Sequence, residues 1–199
     1  MASGFWSPLA IQNQTAGPVI TTTGAQSILA GTAKYTFAPN SIQAGSMLRL
    51  HADGFISCVV TTPGTARIDI RMGGVASGNV VYDSGPMNLN VVAKSTLPWW
   101  FDLYLSCKLS GQFGNFMGLG RFTSEAVIGS PLATVGGSGT ILSAVVGGPD
   151  TALTTSGTVG ANVDFTSALT FDVFFTQTVA TGSFGVLQYV LESAAVALA

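Results

Sequence analysis

The feature that most constrains this chain is a side-chain period of two. Leu48-Arg49-Leu50-His51-Ala52-Asp53 alternates apolar with polar, and Arg67-Ile68-Asp69-Ile70-Arg71-Met72 does so again, with Ile68, Ile70 and Met72 on one side and three charges on the other. Such alternation puts every second side chain on one face of an extended strand, so that one face can be buried while the other meets solvent. Trp100-Phe101-Asp102-Leu103-Tyr104-Leu105-Ser106-Cys107 continues it with apolar odd positions, and Leu169-Thr170-Phe171-Asp172-Val173 repeats it. Further strands are expected at 55–60, 80–82, 115–121, around 139–146 and at 184–191. The last, with Phe184, Val186, Leu187, Tyr189, Val190 and Leu191, is apolar on both faces and is expected to be covered on both. Gly54 is expected to break or bulge its strand.

Helical signals are confined to the tail Glu192-Ser-Ala-Ala-Val-Ala-Leu-Ala, which is too short to stand alone. Strands separated by turns such as Thr62-Pro63-Gly64-Thr65 and Asp83-Ser84-Gly85-Pro86, with no interleaved helices, imply an all-β fold. The expected architecture is a two-sheet antiparallel sandwich of jelly-roll type with an extended N-terminal arm. A sandwich of other connectivity stays open, because pattern alone does not order strands. The 199 residues suit one domain, large enough to remove roughly 70% of the unfolded chain's surface from water. Residues 1–30 hold no periodic pattern and are expected to form the arm, with residues 31–199 forming the sandwich. Phe5, Trp6, Leu9 and Ile11 punctuate that arm, which either stays loose or grips a neighbouring surface.

Charged residues make up 8% of the chain, against about 25% in an ordinary soluble domain. Gly, Thr, Ser, Ala, Asn and Gln take their place, and uncharged polar groups desolvate more cheaply than ions, so this composition suits a surface that is partly covered by another protein. The formal net charge is −2, with seven Lys and Arg scattered between Lys34 and Arg121, which argues against nucleic acid as a partner. Mean hydropathy is +0.50, yet the uncharged stretch from 126 to 148 is interrupted by Gly129, Pro131, Gly136, Gly137 and Gly139. It is expected to be a loop or weak strands and not a membrane span. Met1-Ala-Ser-Gly-Phe-Trp-Ser-Pro lacks a basic segment leading into an apolar run, so no signal peptide is expected, and the sequon Asn13-Gln14-Thr15 carries no weight without secretion. Cys58 and Cys107 sit in apolar strands and are expected to be free buried thiols, ahead of a disulfide or a metal site.

Catalytic patterns are sparse. His51 is the only histidine, with Asp53 two residues on and Ser57 soon after, but no Gly-x-Ser-x-Gly turn presents a nucleophile. The nine carboxylates show no close pairing in sequence; Asp83 and Asp150 suit turns, Asp102 and Asp172 suit polar strand faces, and Asp69 suits a surface pair with Arg67 and Arg71. A glycoside hydrolase would need two of them, Asp102 or Asp172 included, to meet across strands. No zinc or calcium pattern occurs, and Gly118-Leu-Gly120 and Gly136-Gly137-Ser138-Gly139 lack the context of a phosphate cradle and suit turns and bulges. No catalytic residue, cofactor or metal is therefore expected. Of the adjacent Trp99 and Trp100, one is expected in the core and the other exposed or covered, where it could stack on a sugar ring.

Taken in order, Ser46-Met-Leu-Arg-Leu-His-Ala-Asp-Gly-Phe-Ile-Ser, Thr61-Thr-Pro-Gly-Thr and Arg67-Ile-Asp-Ile-Arg-Met-Gly-Gly resemble the small β-rich virion proteins of tailed bacteriophages. Leu97-Pro98-Trp99-Trp100 and Phe184-Gly-Val-Leu-Gln-Tyr-Val-Leu-Glu extend the resemblance over about residues 30–192. It implies a capsid decoration (cement), head-fibre or tail-associated subunit, a homotrimer by preference, made in the host bacterial cytoplasm and located in the virion. The expected partners are the major capsid protein or other virion subunits, with no nucleic acid and no membrane. Partner contacts are expected at Phe5, Trp6, Leu9, Ile11 and Trp99. Capsid decoration is the first expectation, and a tail or head-fibre protein that binds a receptor or glycan is the alternative.

Overall fold

The computed structural model describes residues 11–58, 64–73, 78–129, 142–145, 159–180 and 182–194. They form β1 (Ile11–Asn13), β2 (Gln26–Ser27), β3 (Tyr35–Phe37), β4 (Met47–Cys58), β5 (Thr65–Gly73), β6 (Asn79–Asp83), β7 (Met87–Leu89), β8 (Lys94–Leu109), β9 (Gly114–Ser124), β10 (Val127–Gly129), β11 (Leu142–Val145), β12 (Val159–Val163), β13 (Leu169–Gln177) and β14 (Ser183–Ala194). A short 3-10 turn, Gly31–Ala33, precedes β3, and no α-helix occurs among the described residues. The front sheet runs β1-β14-β4-β8-β9-β11 with β12 also on β9, and the back sheet runs β10-β7-β5-β13-β2 with β3 on β13 and β6 on β5. The expected two-layer antiparallel sandwich is thus the fold. Among the four long front strands, the chain order β4, β8, β9, β14 maps to the spatial order β14-β4-β8-β9, the Greek-key arrangement from which jelly rolls are assembled.

The period of two holds along all of β4, where Leu48, Leu50, Ala52, Gly54, Ile56 and Cys58 are buried and the residues between them are not. Gly54 neither breaks nor bulges this strand. The bulge lies opposite it on β14, where Val186 pairs with Gly54 and Gln188 with Asp53, leaving Leu187 as the extra residue. That insertion also corrects the expectation that β14 is covered on both faces. Phe184 and Val186 face the core before it, Tyr189 and Leu191 after it, and Leu187 and Gln188 are exposed. One extra residue shifts the phase of the alternation, so a strand of one buried face reads as apolar on two.

At one end the core is an aromatic stack through both sheets. Phe175 of β13 lies 3.9 Å from Phe184 of β14, Phe184 lies 4.7 Å from Trp99 of β8, and Trp99 lies 5.7 Å from Phe122 of β9, all near parallel. Trp99 crosses β4 because Gly54 has no side chain; a Cβ there would meet Trp99 Cζ2 at 2.9 Å and the Gly185 carbonyl at 1.9 Å. Gly120 also serves packing and not a turn. It sits mid-strand in β9, where a Cβ would meet Tyr82 Oη at 2.2 Å, so its absence lets the buried Tyr82 lie against the front sheet.

The described part of the expected arm belongs to the sandwich. β1 pairs with β14, β2 with β13, and Ile20, Ile28 and Leu29 are fully buried. Residues 1–10 lie outside the described residues, as do Val59, Val60, Thr62, Pro63, residues 136–139, Asp150 and the tail beyond Ala194. Residues 192–194 continue β14 as strand. Within 126–148 the described pieces are β10 and β11, in keeping with the weak strands expected there.

Both cysteines are free and buried. The register separates them: Cys58 ends β4, whereas the Cys107 amide bonds to Ser46 just before β4 begins, roughly 35 Å away along the strand, far beyond disulfide reach. Burial raises both thiols, Cys107 to about 11, which keeps them protonated and unreactive at neutral pH.

On the outer face of the back sheet, Asp69 departs from its expected surface role. It is buried, takes a 2.5 Å hydrogen bond from Arg71 Nε, and leaves Arg67 to a forked pair with buried Asp83. Asp83 keeps a turn role besides, accepting the Gly85 amide at 2.8 Å. Asp172 is buried on the same face, held by Lys34 Nζ at 2.6 Å and Ser27 Oγ at 2.7 Å, and the Arg71 guanidinium lies 4.0 Å from the Phe174 ring centroid. These partners close what would otherwise be an open sheet face.

Candidate functional site

The outer face of the front sheet is the contrasting surface. Because the inward positions of β8 are Trp99, Phe101, Leu103, Leu105 and Cys107, the even positions Trp100, Asp102, Tyr104 and Ser106 project outward. Register aligns them in rows with their neighbours. One row is Gln188, Asp53, Trp100 and Thr123; the next is Val190, His51, Asp102 and Arg121; the third is Glu192, Arg49, Tyr104 and Leu119. Trp100 is 46% exposed and Tyr104 37%, which marks two aromatic surfaces on one rigid platform, four residues or about 13 Å apart along the strand.

Between the aromatics lies a polar row. His51 and Asp102 are bonded through Nδ1 and Oδ1 at 2.7 Å, Gln188 Nε2 donates to Asp53 at 2.8 Å, and Arg49 Nη1 reaches Glu192 at 3.4 Å. The Arg49 guanidinium also lies 5.7 Å from the Tyr104 ring centroid, and its Nε is buried with no hydrogen-bond partner among the described residues. Arg49, Asp102, Tyr104, Leu119, Gly120 and Arg121 line a shallow groove of about 360 Å³, at the small end of ligand-site volumes. Leu119, 50% exposed, gives it an apolar wall.

Of the residues singled out from sequence, Trp99 is not on this surface. It is 1% exposed, and its indole N–H donates to the Phe55 carbonyl at 3.1 Å, so Trp100 is the outward member of the pair. Ile11 pairs with Leu191 and packs on the core of its own chain. Phe5, Trp6 and Leu9 lie outside the described residues. Sequence reading passed over Trp100, Tyr104, Arg49 and Arg121 as a group. Parity in β8 points to the first two, since a run with apolar odd positions makes Trp99 inward and Trp100 outward.

Ser57 lies about 20 Å along β4 from His51 and accepts the Thr96 amide at 2.9 Å, so those two form no dyad. Asp102 and Asp172 occupy outer faces of opposite sheets, whose backbones pack about 10 Å apart, so they cannot flank one glycosidic bond. Among the described residues no group of three His, Cys, Asp or Glu could hold a metal ion, and no helix is long and apolar enough to cross a membrane.

No family model matches this chain, and no curated protein does. Among solved structures it is similar to the CBM2 module of the evolved Dit of Lactobacillus casei BL23 phage J-1, with 10% sequence identity and a TM-score of 0.31 over 83% of this chain and 70% of that chain. At that identity and TM-score the likeness says nothing of what this chain binds.

Proposed function

We propose that this chain is a non-catalytic binding subunit of a bacteriophage particle, and that it holds a surface saccharide on the outer face of its front sheet. The virion setting comes from the resemblance of its strand and turn motifs and from its low charge. The binding surface rests on one observation: Trp100 and Tyr104 stand exposed on one strand, with the hydrogen-bonding side chains of His51, Asp102 and Arg121 in the row between them. Sugars present apolar ring faces edged by hydroxyls, so a platform of aromatic faces and fixed donors and acceptors is complementary to them. Strands hold that platform more rigidly than loops would.

The test is a saccharide array probed with the wild-type chain and with Trp100→Ala. Specific binding by the wild type that Trp100→Ala weakens tenfold or more supports the reading. Absence of binding to every saccharide displayed counts against it.

A second reading, capsid decoration, is favoured by a different observation: Val91, Val92, Leu109 and Phe113 are 57% to 75% exposed at the ends of the sandwich, where a neighbouring subunit could cover them. Removal of residues 1–10 deletes Phe5, Trp6 and Leu9 without touching Ile20 or β1. Loss of particle attachment with the fold intact supports an arm that grips the capsid. Attachment that survives the deletion removes the arm from the mechanism.

A further inference from the structure

Resting on the saccharide reading, we infer that the ligand is an anionic saccharide, whose carboxylate is held by Arg121 beside Tyr104. Across the strands Arg121 stands opposite Asp102, its natural counter-charge. Asp102 is instead bonded to His51 at 2.7 Å, and Arg121 makes no ion pair or hydrogen bond among the described residues. Arg121 lines the groove with its donors unspent among the described residues. Arg49, which also lines the groove, is only partly neutralised: Glu192 is at 3.4 Å, and the buried Arg49 Nε has no acceptor among the described residues.

A planar guanidinium fork matches a carboxylate with two parallel hydrogen bonds. The negative groups of this face are already engaged, Asp53 by Gln188, Asp102 by His51 and Glu192 by Arg49. The groove's own carboxylate, Asp102, is bonded to His51, which leaves Arg121 as the charge there that no described group meets. Tyr104 and Leu119 supply the apolar wall for a ring, and about 360 Å³ suits one or two sugar units better than a folded protein segment.

The experiment is an array carrying matched neutral and uronic-acid-bearing oligosaccharides, probed with the wild type, Arg121→Gln and Trp100→Ala at low and high salt. Arg121 is exposed, so its replacement leaves the fold unchanged, which a thermal melt verifies. The inference predicts that wild-type binding is confined to acidic saccharides, falls with salt, and drops at least about tenfold in Arg121→Gln. Preference for neutral saccharides, or equal binding by Arg121→Gln, overturns the anionic ligand while leaving the saccharide platform standing, provided Trp100→Ala still weakens binding tenfold or more. No binding to either class by the wild type overturns both.

Discussion

The two outer faces of this sandwich are built by the same alternation and differ in what their polar residues do. On the back sheet Asp69, Asp83 and Asp172 are buried in short pairs with Arg71, Arg67 and Lys34, and Phe174 lies beneath the Arg71 guanidinium. On the front sheet His51, Asp102, Arg49 and Glu192 remain partly exposed, Arg121 is unpaired among the described residues, and two aromatics face solvent. The difference lies in how each face is completed. The back face uses strand-end segments of its own chain, Ser27 and Lys34, to satisfy Asp172, so its charges serve cohesion. No described segment performs that role over the front face. Charge alternating with apolar residues therefore does not by itself mark a solvated or functional surface; it is the completeness of the hydrogen bonding that separates the two.

The largest effect should come from breaking the back face. Asp172→Ala leaves the Lys34 ammonium without its partner and cuts the tie between β13 and the segment after β2, so we expect a loss of about 3–5 kcal/mol in denaturant unfolding. A change below about 1 kcal/mol would mean that this face is as open as the front one. Next, Trp100→Ala should reduce saccharide binding by tenfold or more, about 1.4 kcal/mol, while stability stays within about 0.5 kcal/mol of wild type. A comparable loss of stability would make Trp100 a packing residue. Ser27→Ala, which removes one of the hydrogen bonds to Asp172, should cost about 1 kcal/mol and leave binding untouched.

The smallest effect is a pH slope. Burial is the largest influence on Asp69 and raises its carboxyl above the ordinary 3.8, against the lowering hydrogen bond from Arg71. The folded state then holds that proton more tightly than the unfolded one. Its contribution to stability is full below the ordinary value and is lost as pH rises through the raised one. Asp69→Asn should remove this component, so the stability difference between variant and wild type should change across that window. An unchanged difference would place Asp69 in a more solvated setting than its burial indicates.

Much of the fold is legible in the sequence, because a buried face imposes a period of two wherever a strand is long. β4 follows it residue by residue and β8 does so from Trp99 to Lys108, while the inward positions of β5 and β13 keep to it with outer-face residues such as Asp69 and Asp172 buried as well. The short strands β1, β2 and β3 escape it, since two or three residues carry no period, so residues 1–30 show no pattern in the sequence although Ile20, Ile28 and Leu29 fill the core. The β14 bulge at Leu187 hides one face behind apparent apolarity on both. Asp69 and Asp172 read as surface residues because parity tells which face a side chain takes and not whether partners cover that face. The site was half legible. Parity in β8 separates Trp99 from Trp100, but the rows joining Trp100, His51 and Arg121 exist only in the strand register, which local pattern cannot supply.

On the proposed reading the front face of the sandwich, and not the back, meets the ligand. Amide and indole NMR of the chain titrated with an array-selected acidic oligosaccharide tests it most directly. Shifts should concentrate at Trp100, Asp102, Tyr104 and Arg121, with Asp172 and Phe174 silent. Shifts centred on the back sheet, or none at saturating ligand, would contradict it.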